Sequence, residues 1–171
     1  MIKNSLTTIL LTLFLCLAGC KETQTEKDDV SITPEINYES EKKAILETLH
    51  QETAAAFQRD YEGWKDKWVH DPTITKIYIN FADSTFSESV GWEEISGFVK
   101  TFIEEHPEPE PVPSMVKDIE VRLYGNGAWV TYEQQDSLRG LKRETRLMEK
   151  VDGQWKIAGM QTTIYGLQGE K

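Results

Sequence analysis

Cysteine and positive charge are both scarce in this chain of 171 residues, and each scarcity excludes a class of function. The only cysteines, Cys16 and Cys20, lie in the first 20 residues. The rest of the chain therefore has no disulfide and no thiolate metal site. Lys and Arg number 19 against 29 Asp and Glu, for a net charge of −10. This balance argues against a nucleic-acid partner, whose phosphates require basic side chains.

Several catalytic and cofactor patterns are missing as well. The three histidines, His50, His70 and His106, do not have metal-ligand spacing, so no metal site is expected. The sequence holds no Ser-His-Asp arrangement and no glycine-rich phosphate loop. We therefore expect a domain that uses no cofactor.

The first twenty residues have the pattern of a lipoprotein signal peptide. Lys3 supplies a positive start, residues 10–17 are apolar, and Leu17-Ala18-Gly19-Cys20 places small residues before a cysteine. The apolar run is short for a membrane-spanning helix. The last four residues resemble the bacterial lipobox, in which a peptidase cuts before the cysteine and the thiol receives a diacylglycerol. An ordinary cleaved signal peptide is the alternative.

The lipobox resemblance implies a location as well as a modification. Residues 1–19 would be the signal, and Cys20 would anchor the protein to a membrane of the bacterial envelope, facing the periplasm or the cell surface. Residues 20–39 are predicted to form a disordered tether, because they are polar and bury too little surface to offset chain entropy. Such a coil reaches about 25 Å, which would hold the domain just off the membrane.

Hydrophobic spacing predicts helices and strands that are segregated along residues 40–167. The predicted helices are a long one from Glu41 with Ser40 as its cap, a short one that ends before Pro72, and one over residues 91–105. The predicted strands are residues 73–81, 115–124, 128–136, 141–151 and 154–164, with a short one around Phe86. This segregation predicts an α+β domain.

Four of the six prolines lie between residues 107 and 113. They predict a stiff connector from helix to sheet, and a proline-rich recognition site is the alternative.

Two dipeptides predict tight hairpins in the last third of the chain. Asn126-Gly127 and Asp152-Gly153 favour two-residue turns whose twist suits antiparallel strands. A turn of known length sets the strand register. The predicted pairs are Val121 with Tyr132, Met148 with Ile157, Arg146 with Gly159, and Glu144 with Gln161.

The second hairpin has apolar residues on both predicted faces. Met148 and Trp155 lie on one face, and Leu147 and Met160 lie on the other. One face can pack under the long helix, whereas the other would be an exposed apolar patch unless something covers it. A second copy of the chain is the economical cover, so we expect a homodimer.

Residues 144–157 contain a Thr-Arg strand, an Asp-Gly turn and a Trp-Lys-Ile strand in succession. Together with residues 68–72 and 91–95, they resemble the nuclear transport factor 2-like superfamily, which includes ketosteroid isomerase, scytalone dehydratase and the SnoaL-like polyketide cyclases. The resemblance covers residues 41–166. It implies a cystatin-like cone, in which a curved antiparallel sheet wraps around the long N-terminal helix and the mouth binds small molecules. Many members dimerise through the outer surface of the sheet.

The resemblance also suggests site residues. Arg146 matches an arginine that related association domains hold in their pocket, where it would clamp a carboxylate or another anionic group. A structural ion pair with Glu144, Glu133 or a helix acid is the alternative. The family often has His-x-His-x-Ser where residues 159–163 read Gly-Met-Gln-Thr-Thr, which puts histidine-dependent chemistry in doubt. The candidate ligand-binding residues are Arg146, Tyr132, Tyr78, His70, Trp68, Gln134, Met148 and Gln161.

Candidate acid and base groups are few. His70 is either a general base near the mouth or a junction histidine bonded to backbone. Tyr78 and Tyr132 are possible oxyanion donors, and Asp136 and Glu144 are the candidate acids. Among the tryptophans, Trp64, Trp92 and Trp155 are expected in the core, and Trp68 nearer the mouth.

These observations predict a membrane-anchored, non-catalytic module that binds a small apolar or amphipathic molecule, which could carry an anionic group. The alternative is a cofactor-free isomerase, dehydratase or cyclase. A carboxylate on the inner face beside Tyr78 or Tyr132, in an aromatic pocket, would favour the enzyme. An interior filled by its own side chains would favour the binding or structural role.

Overall fold

The structure is a computed structural model that describes residues 37–136 and 140–166. The predicted signal peptide, Cys20 and most of the predicted tether lie outside the described residues. The described helices are α1 (Tyr38–Phe57), α2 (Tyr61–Asp66) and α3 (Trp92–Glu105). The described strands are β1 (Thr75–Asn80), β2 (Thr85–Val90), β3 (Glu120–Tyr124), β4 (Gly127–Asp136), β5 (Gly140–Val151) and β6 (Gln154–Gly166). In this part of the chain no helix is both long and apolar enough to cross a membrane.

Helix α1 begins three residues before the predicted start. The Asn37 side chain accepts a hydrogen bond from the Ser40 backbone N–H at 3.1 Å, so Asn37 and not Ser40 is the cap. Glu39 and Glu41 in the first turn add a favourable interaction with the helix dipole. Residues 38 and 39, which the predicted tether included, therefore belong to this helix.

Helix α2 ends at Asp66, well before Pro72. The chain leaves the helix because the next residues pair with β6. The Val69 N–H donates to the Ile157 carbonyl at 2.9 Å, and the Ile157 N–H donates to the Lys67 carbonyl at 2.8 Å. Trp68 lies between the two residues that make these hydrogen bonds. The pairing therefore places its side chain in the core.

The described strands form one sheet in the order β2-β1-β6-β5-β4-β3. All neighbours are antiparallel except β1 and β6, which are parallel. The predicted short strand around Phe86 is present as β2. The strand predicted over residues 115–124 begins only at Glu120.

The two hairpin turns differ in how well the sequence predicted them. Asp152 and Gly153 have φ of 50° and 80°, and Val151 pairs with Gln154, as expected for the Asp-Gly turn. The first turn is instead centred on Gly125-Asn126, because Gly125 takes the left-handed conformation with φ of 60°. The predicted register there was wrong by two residues, and a shift of two leaves each side chain on its predicted face.

The β5–β6 ladder contains a bulge that the sequence did not predict. The register shifts between Leu147 and Met148, where Ala158 is the extra residue on β6. Beyond the bulge, a one-residue shift exchanges the two faces of β6. The predicted pairing of Arg146 with Gly159 was therefore wrong. The observed pairs are Met148–Ile157, Leu147–Gly159, Arg146–Met160 and Glu144–Thr162.

The core lies between the helices and one face of the sheet, which we call the inner face. Its most deeply buried side chains are Ile45, Ile95, Val130, Ile157 and Trp68. Trp68 is 1% exposed, so its expected position near a mouth was wrong. Trp64 packs against Trp68 and Trp92 with ring centroids 5.5 and 5.7 Å away.

The proline-rich connector is bound to the end of α1. Arg59 donates to the His106 carbonyl at 2.7 Å and forms an ion pair with Glu110. The Glu110 N–H donates to the Phe57 carbonyl at 2.8 Å. The segment therefore runs as a spacer held against the domain between α3 and the sheet.

Candidate functional site

Charged side chains are buried on the inner face of the sheet and on the helix that packs against it. Arg146 and Glu144 of β5, Lys76 of β1, and Glu52 of α1 are each at most 9% exposed. Buried charges require partners, so their arrangement reveals what the interior can bind. The strand register brings them together in adjacent rows. One row is Val130, Arg146, Met160 and Lys76, and the next is Tyr132, Glu144, Thr162 and Tyr78.

Arg146 and Glu144 form a buried ion pair. The Arg146 Nη1 lies 2.8 Å from Oε2 of Glu144, and the Thr162 hydroxyl donates to the same oxygen at 2.8 Å. The Lys142 Nζ lies 3.5 Å from the other oxygen, Oε1. Both oxygens of Glu144 are thus occupied. This contact is the structural ion pair with Glu144 that the sequence analysis named as the alternative to a ligand clamp at Arg146.

One atom of this cluster remains without a partner. The Nε of Arg146 is buried, and the described residues offer it no hydrogen bond. Burial by itself lowers the pKa of Arg146, but the attraction of Glu144 and other neighbours outweighs it and raises the pKa above its ordinary value. Arg146 is therefore a permanent cation with one donor still available.

The two candidate tyrosines lie in the same row as Glu144. Burial raises the pKa of Tyr132 to about 12, so its hydroxyl stays protonated at neutral pH and can donate a hydrogen bond. Tyr78 is partly buried on β1, two residues from Lys76. Gln134 follows Tyr132 on the inner face of β4 and is partly buried.

Sequence reasoning missed Glu52 and Lys76. Glu52 is 8% exposed, and its Oε1 accepts from the Trp64 Nε1 at 2.9 Å and the Trp68 Nε1 at 3.4 Å. The available signal was a carboxylate three residues after Leu49, on the apolar stripe of α1. For Lys76, the signal was its alternation with Ile77, which puts it on the same face as Tyr78.

Other predicted site residues lie elsewhere. His70 is exposed, stacks on Trp92 at 4.0 Å between ring centroids, and its Nε2 donates to the Lys65 carbonyl at 3.0 Å. This is the junction histidine of the alternative interpretation. Gln161 lies on the outer face because of the bulge, and it donates to the Thr163 hydroxyl. Met148 is on the predicted face but belongs to the core, at 3% exposure.

Neither a metal site nor a free catalytic acid is evident in the described residues. Residues 37–136 and 140–166 contain no group of three or more His, Cys, Asp or Glu side chains arranged to hold a metal ion. The side chain of Asp136, one of the two candidate acids, lies outside the described part. The other, Glu144, is the carboxylate already bound by Arg146.

A cavity of about 70 Å³ adjoins the inner face at Tyr132 and Gln134. Its walls come from α1, from β4, and from residues 113–119. Leu46, Leu49 and Ile119 supply apolar surface to this cavity, and Tyr132, Gln134, His50 and Thr53 supply hydrogen-bonding groups. Pockets for drug-sized ligands are several times larger, so this cavity suits a small group or one end of a molecule.

No protein-family model and no curated protein matches the chain. Solved structures do match it. A proposed dehydratase of the nuclear transport factor 2-like family from Streptomyces avermitilis is 14% identical, with a TM-score of 0.58 over 74% of this chain and 97% of that one. This chain has the nuclear transport factor 2-like fold.

Two more structures agree on this fold. A nuclear transport factor 2-like protein of unknown function from Pseudomonas putida is 14% identical, with a TM-score of 0.57, and covers 78% of this chain and 97% of its own. A cystatin-like fold protein from Burkholderia xenovorans is 18% identical, with a TM-score of 0.56 over 74% of this chain and 92% of its own. The predicted cystatin-like, nuclear transport factor 2-like fold and the α+β class are confirmed. At these identities the likeness concerns the nuclear transport factor 2-like fold alone, and the function must be argued from the site.

Proposed function

We propose that this protein is a non-catalytic binding module that holds a small apolar or amphipathic molecule. The observation that carries the proposal is the cavity beside Tyr132 and Gln134, because it joins apolar surface to a few hydrogen-bonding side chains. This combination is typical of small-molecule sites, where apolar surface supplies affinity and a few polar groups set orientation. The rest of the inner face is filled by side chains of the protein itself.

The charge of the inner face supports a ligand with an anionic end. Around the Arg146–Glu144 pair, the cations Lys76, Lys142 and Arg146 face two carboxylates, Glu144 of β5 and Glu52 of α1. The Arg146 Nε also has no partner in the described residues. Arg146 does not line the cavity, so only a ligand that extends past Tyr132 would place a carboxylate or similar group where it balances this charge and accepts this hydrogen bond.

A cofactor-free isomerase, dehydratase or cyclase is the second candidate function. It is favoured by the pairing of Glu144 with Tyr132 across β4 and β5, which places an acid beside a protonated hydroxyl. The proposed dehydratase from Streptomyces avermitilis has the same fold. Against it, Glu144 is already bound by Arg146, Lys142 and Thr162, so a substrate would have to compete with three partners for its carboxylate.

Filling the cavity is expected to abolish binding. Thr53 lines the cavity from α1, so Thr53→Leu places extra carbon atoms where the ligand would lie. We expect 3-methylbutanoate to bind the native chain more tightly than the matched alcohol, 3-methylbutanol, and to bind Thr53→Leu at least tenfold more weakly. Affinity is measured by NMR titration of the two probes.

The matched control for this experiment is Gln51→Leu, which adds a similar side chain at an exposed position of the same helix. It should leave both affinities unchanged. Equal binding by the native chain and Thr53→Leu would show that the cavity is not the site. Tighter binding of the alcohol than of the acid would contradict the proposed anionic end of the ligand but would still support the cavity as its site.

We also propose that the chain forms a homodimer through the outer face of the sheet. Trp129, Leu147 and Tyr165 are exposed there by 45%, 43% and 42%. Arg143 and Glu133 form an ion pair beside them at 3.1 Å. Apolar centres with charged surroundings are typical of protein interfaces.

A charge at the centre of this face is expected to dissociate the dimer. Leu147→Glu should give a monomer at micromolar concentration, since two copies of the carboxylate would be buried at or near the interface. Light scattering measures the mass in solution. Phe98→Glu is the control, because Phe98 is 57% exposed but lies on α3, away from this face. A native chain that is already monomeric, or a Leu147→Glu variant that stays dimeric, would refute the interface.

We propose, finally, that Cys20 carries a lipid that anchors the module to a bacterial membrane. The support is the lipobox resemblance of Leu17-Ala18-Gly19-Cys20 and the polar residues that follow. Together these proposals describe a binding module held close to the envelope membrane by a lipidated N-terminus.

A further inference from the structure

Lys76 is a buried amine with aromatic rings on two sides. It lies on the inner face of β1 and is 9% exposed. Its Nζ is 5.5 Å from the ring centroid of Tyr78 and 5.0 Å from that of Phe98. Phe98 is itself 57% exposed on α3. The exposed ring of Phe98 therefore lies close to the buried Lys76 amine.

The charged groups that face Lys76 do not pair with it. Glu52 faces it from α1, and Glu144 and Arg146 face it from β5. None of the carboxylates in the described ranges comes within 4.0 Å of its Nζ, and Glu144 is bound to Arg146 instead. Burial is the dominant influence and lowers the pKa of Lys76 to about 8.

A lysine in this state holds an unusual amount of neutral amine. With a pKa of about 8 against 10.4 for an ordinary lysine, the neutral fraction at pH 7 is roughly 200-fold larger. The neutral form is the nucleophile, and desolvation beside another cation is a known way to activate a lysine. Arg146 is that second cation here.

We propose that Lys76 is a nucleophilic site for small aldehydes and ketones that carry an apolar group. The rings of Tyr78 and Phe98 would contact the apolar group, while the Lys76 nitrogen attacks the carbonyl carbon. A C–N bond forms, the carbonyl π electrons move to oxygen, and a proton passes from nitrogen to that oxygen. Loss of water then gives the imine. The amine and the carbonyl compound are the only reactants, and no oxidant or reductant is required.

This inference is independent of the proposed binding cavity. Lys76 does not line that cavity, which is formed by α1, β4 and residues 113–119. Binding of 3-methylbutanoate without labelling of Lys76 would support the cavity alone. Labelling of Lys76 without binding of 3-methylbutanoate would support the nucleophilic lysine alone.

Reductive trapping tests the proposal on the purified full chain. The chain is incubated with butanal and cyanoborohydride at pH 7, and the rate of labelling of each lysine is read by peptide mass spectrometry. Because a less basic amine is also a weaker nucleophile, we expect a net advantage for Lys76 of about tenfold over exposed lysines such as Lys43 and Lys100. Its rate should level off above pH 8, whereas theirs should keep rising.

Two controls show whether the fold is responsible. The faster labelling of Lys76 should disappear in urea. Lys76→Arg should lose the butanal label at position 76, and Lys100→Arg should lose only the label at position 100. Labelling of Lys76 no faster than that of Lys43, or a preference that survives unfolding, would overturn the proposal. The measurement on the native chain needs no variant, so the result stands even where Lys76→Arg fails to fold.

Discussion

The free energy of unfolding of the Glu144→Ala variant is expected to be about 3–5 kcal/mol lower than that of the native chain. The substitution leaves Arg146, whose side chain is only 8% exposed, without its carboxylate partner. It also removes the acceptor of the Thr162 hydroxyl and the neighbour of Lys142. A buried charge that loses its partner costs far more than the pair contributes, because water cannot replace the carboxylate. Urea denaturation followed by circular dichroism measures the loss.

A matched control separates burial from charge. Glu62→Ala removes the carboxylate from Lys65 on α2, with side chains 76% and 38% exposed, so its cost should be at most about 1 kcal/mol. The double variant Glu144→Leu, Arg146→Met should recover most of the lost stability, since an apolar pair of similar size needs no partner. Equal losses for Glu144→Ala and Glu62→Ala would contradict a buried ion pair at this position.

Cys20→Ser is expected to abolish fatty-acid labelling of the protein and, where the signal is still cleaved, to move the protein from the membrane fraction to the soluble fraction. Serine has no thiol to receive the diacylglycerol. Each methylene that leaves the bilayer gives up about 0.8 kcal/mol, and two acyl chains hold a protein stably where one is marginal. Fractionation of cells and metabolic labelling with a fatty-acid analogue measure the two consequences.

The chain offers its own control for this substitution. Cys16 is the only other cysteine and precedes the expected cleavage site. Cys16→Ser should therefore keep both the fatty-acid label and the membrane location. A Cys20→Ser variant that retains the label, or a native chain that never acquires it, would defeat the lipidation proposal. Membrane location alone is the weaker readout, because an uncleaved signal can also retain a protein.

The secondary structure was largely predictable because its signals are local. The 3.6-residue spacing around Ile45 and Leu49 and the alternation at Ile77 and Ile79 each lie within one element. The Asp152-Gly153 turn was predicted for the same reason, since two adjacent residues decide it. The Asn126-Gly127 turn was placed one residue too late, because Gly125 also meets the left-handed requirement. Local patterns cannot choose between two such neighbours.

The candidate site was predicted only in part. Arg146, Tyr132, Tyr78 and Gln134 do share the inner face, because their positions follow from strand alternation. Gln161 was misplaced because of the bulge at Ala158, for which the neighbouring Gly159 is only a weak local signal. Trp68 was misplaced since the end of α2 depends on a backbone pairing with Ile157, far along the chain.

The sequence by itself determined the segregation of helices and strands, the Asp-Gly hairpin, the inner and outer faces of β4 and β5, and the lipobox-like motif before Cys20. Each of these depends on residues that are neighbours in the chain. Only the tertiary structure decided that Glu144 is the partner of Arg146, that Glu52 joins the two tryptophans, and that Lys76 lies buried between rings without an acid. These contacts join β1, β5 and the helices, and a buried charge is defined by everything that surrounds it in space.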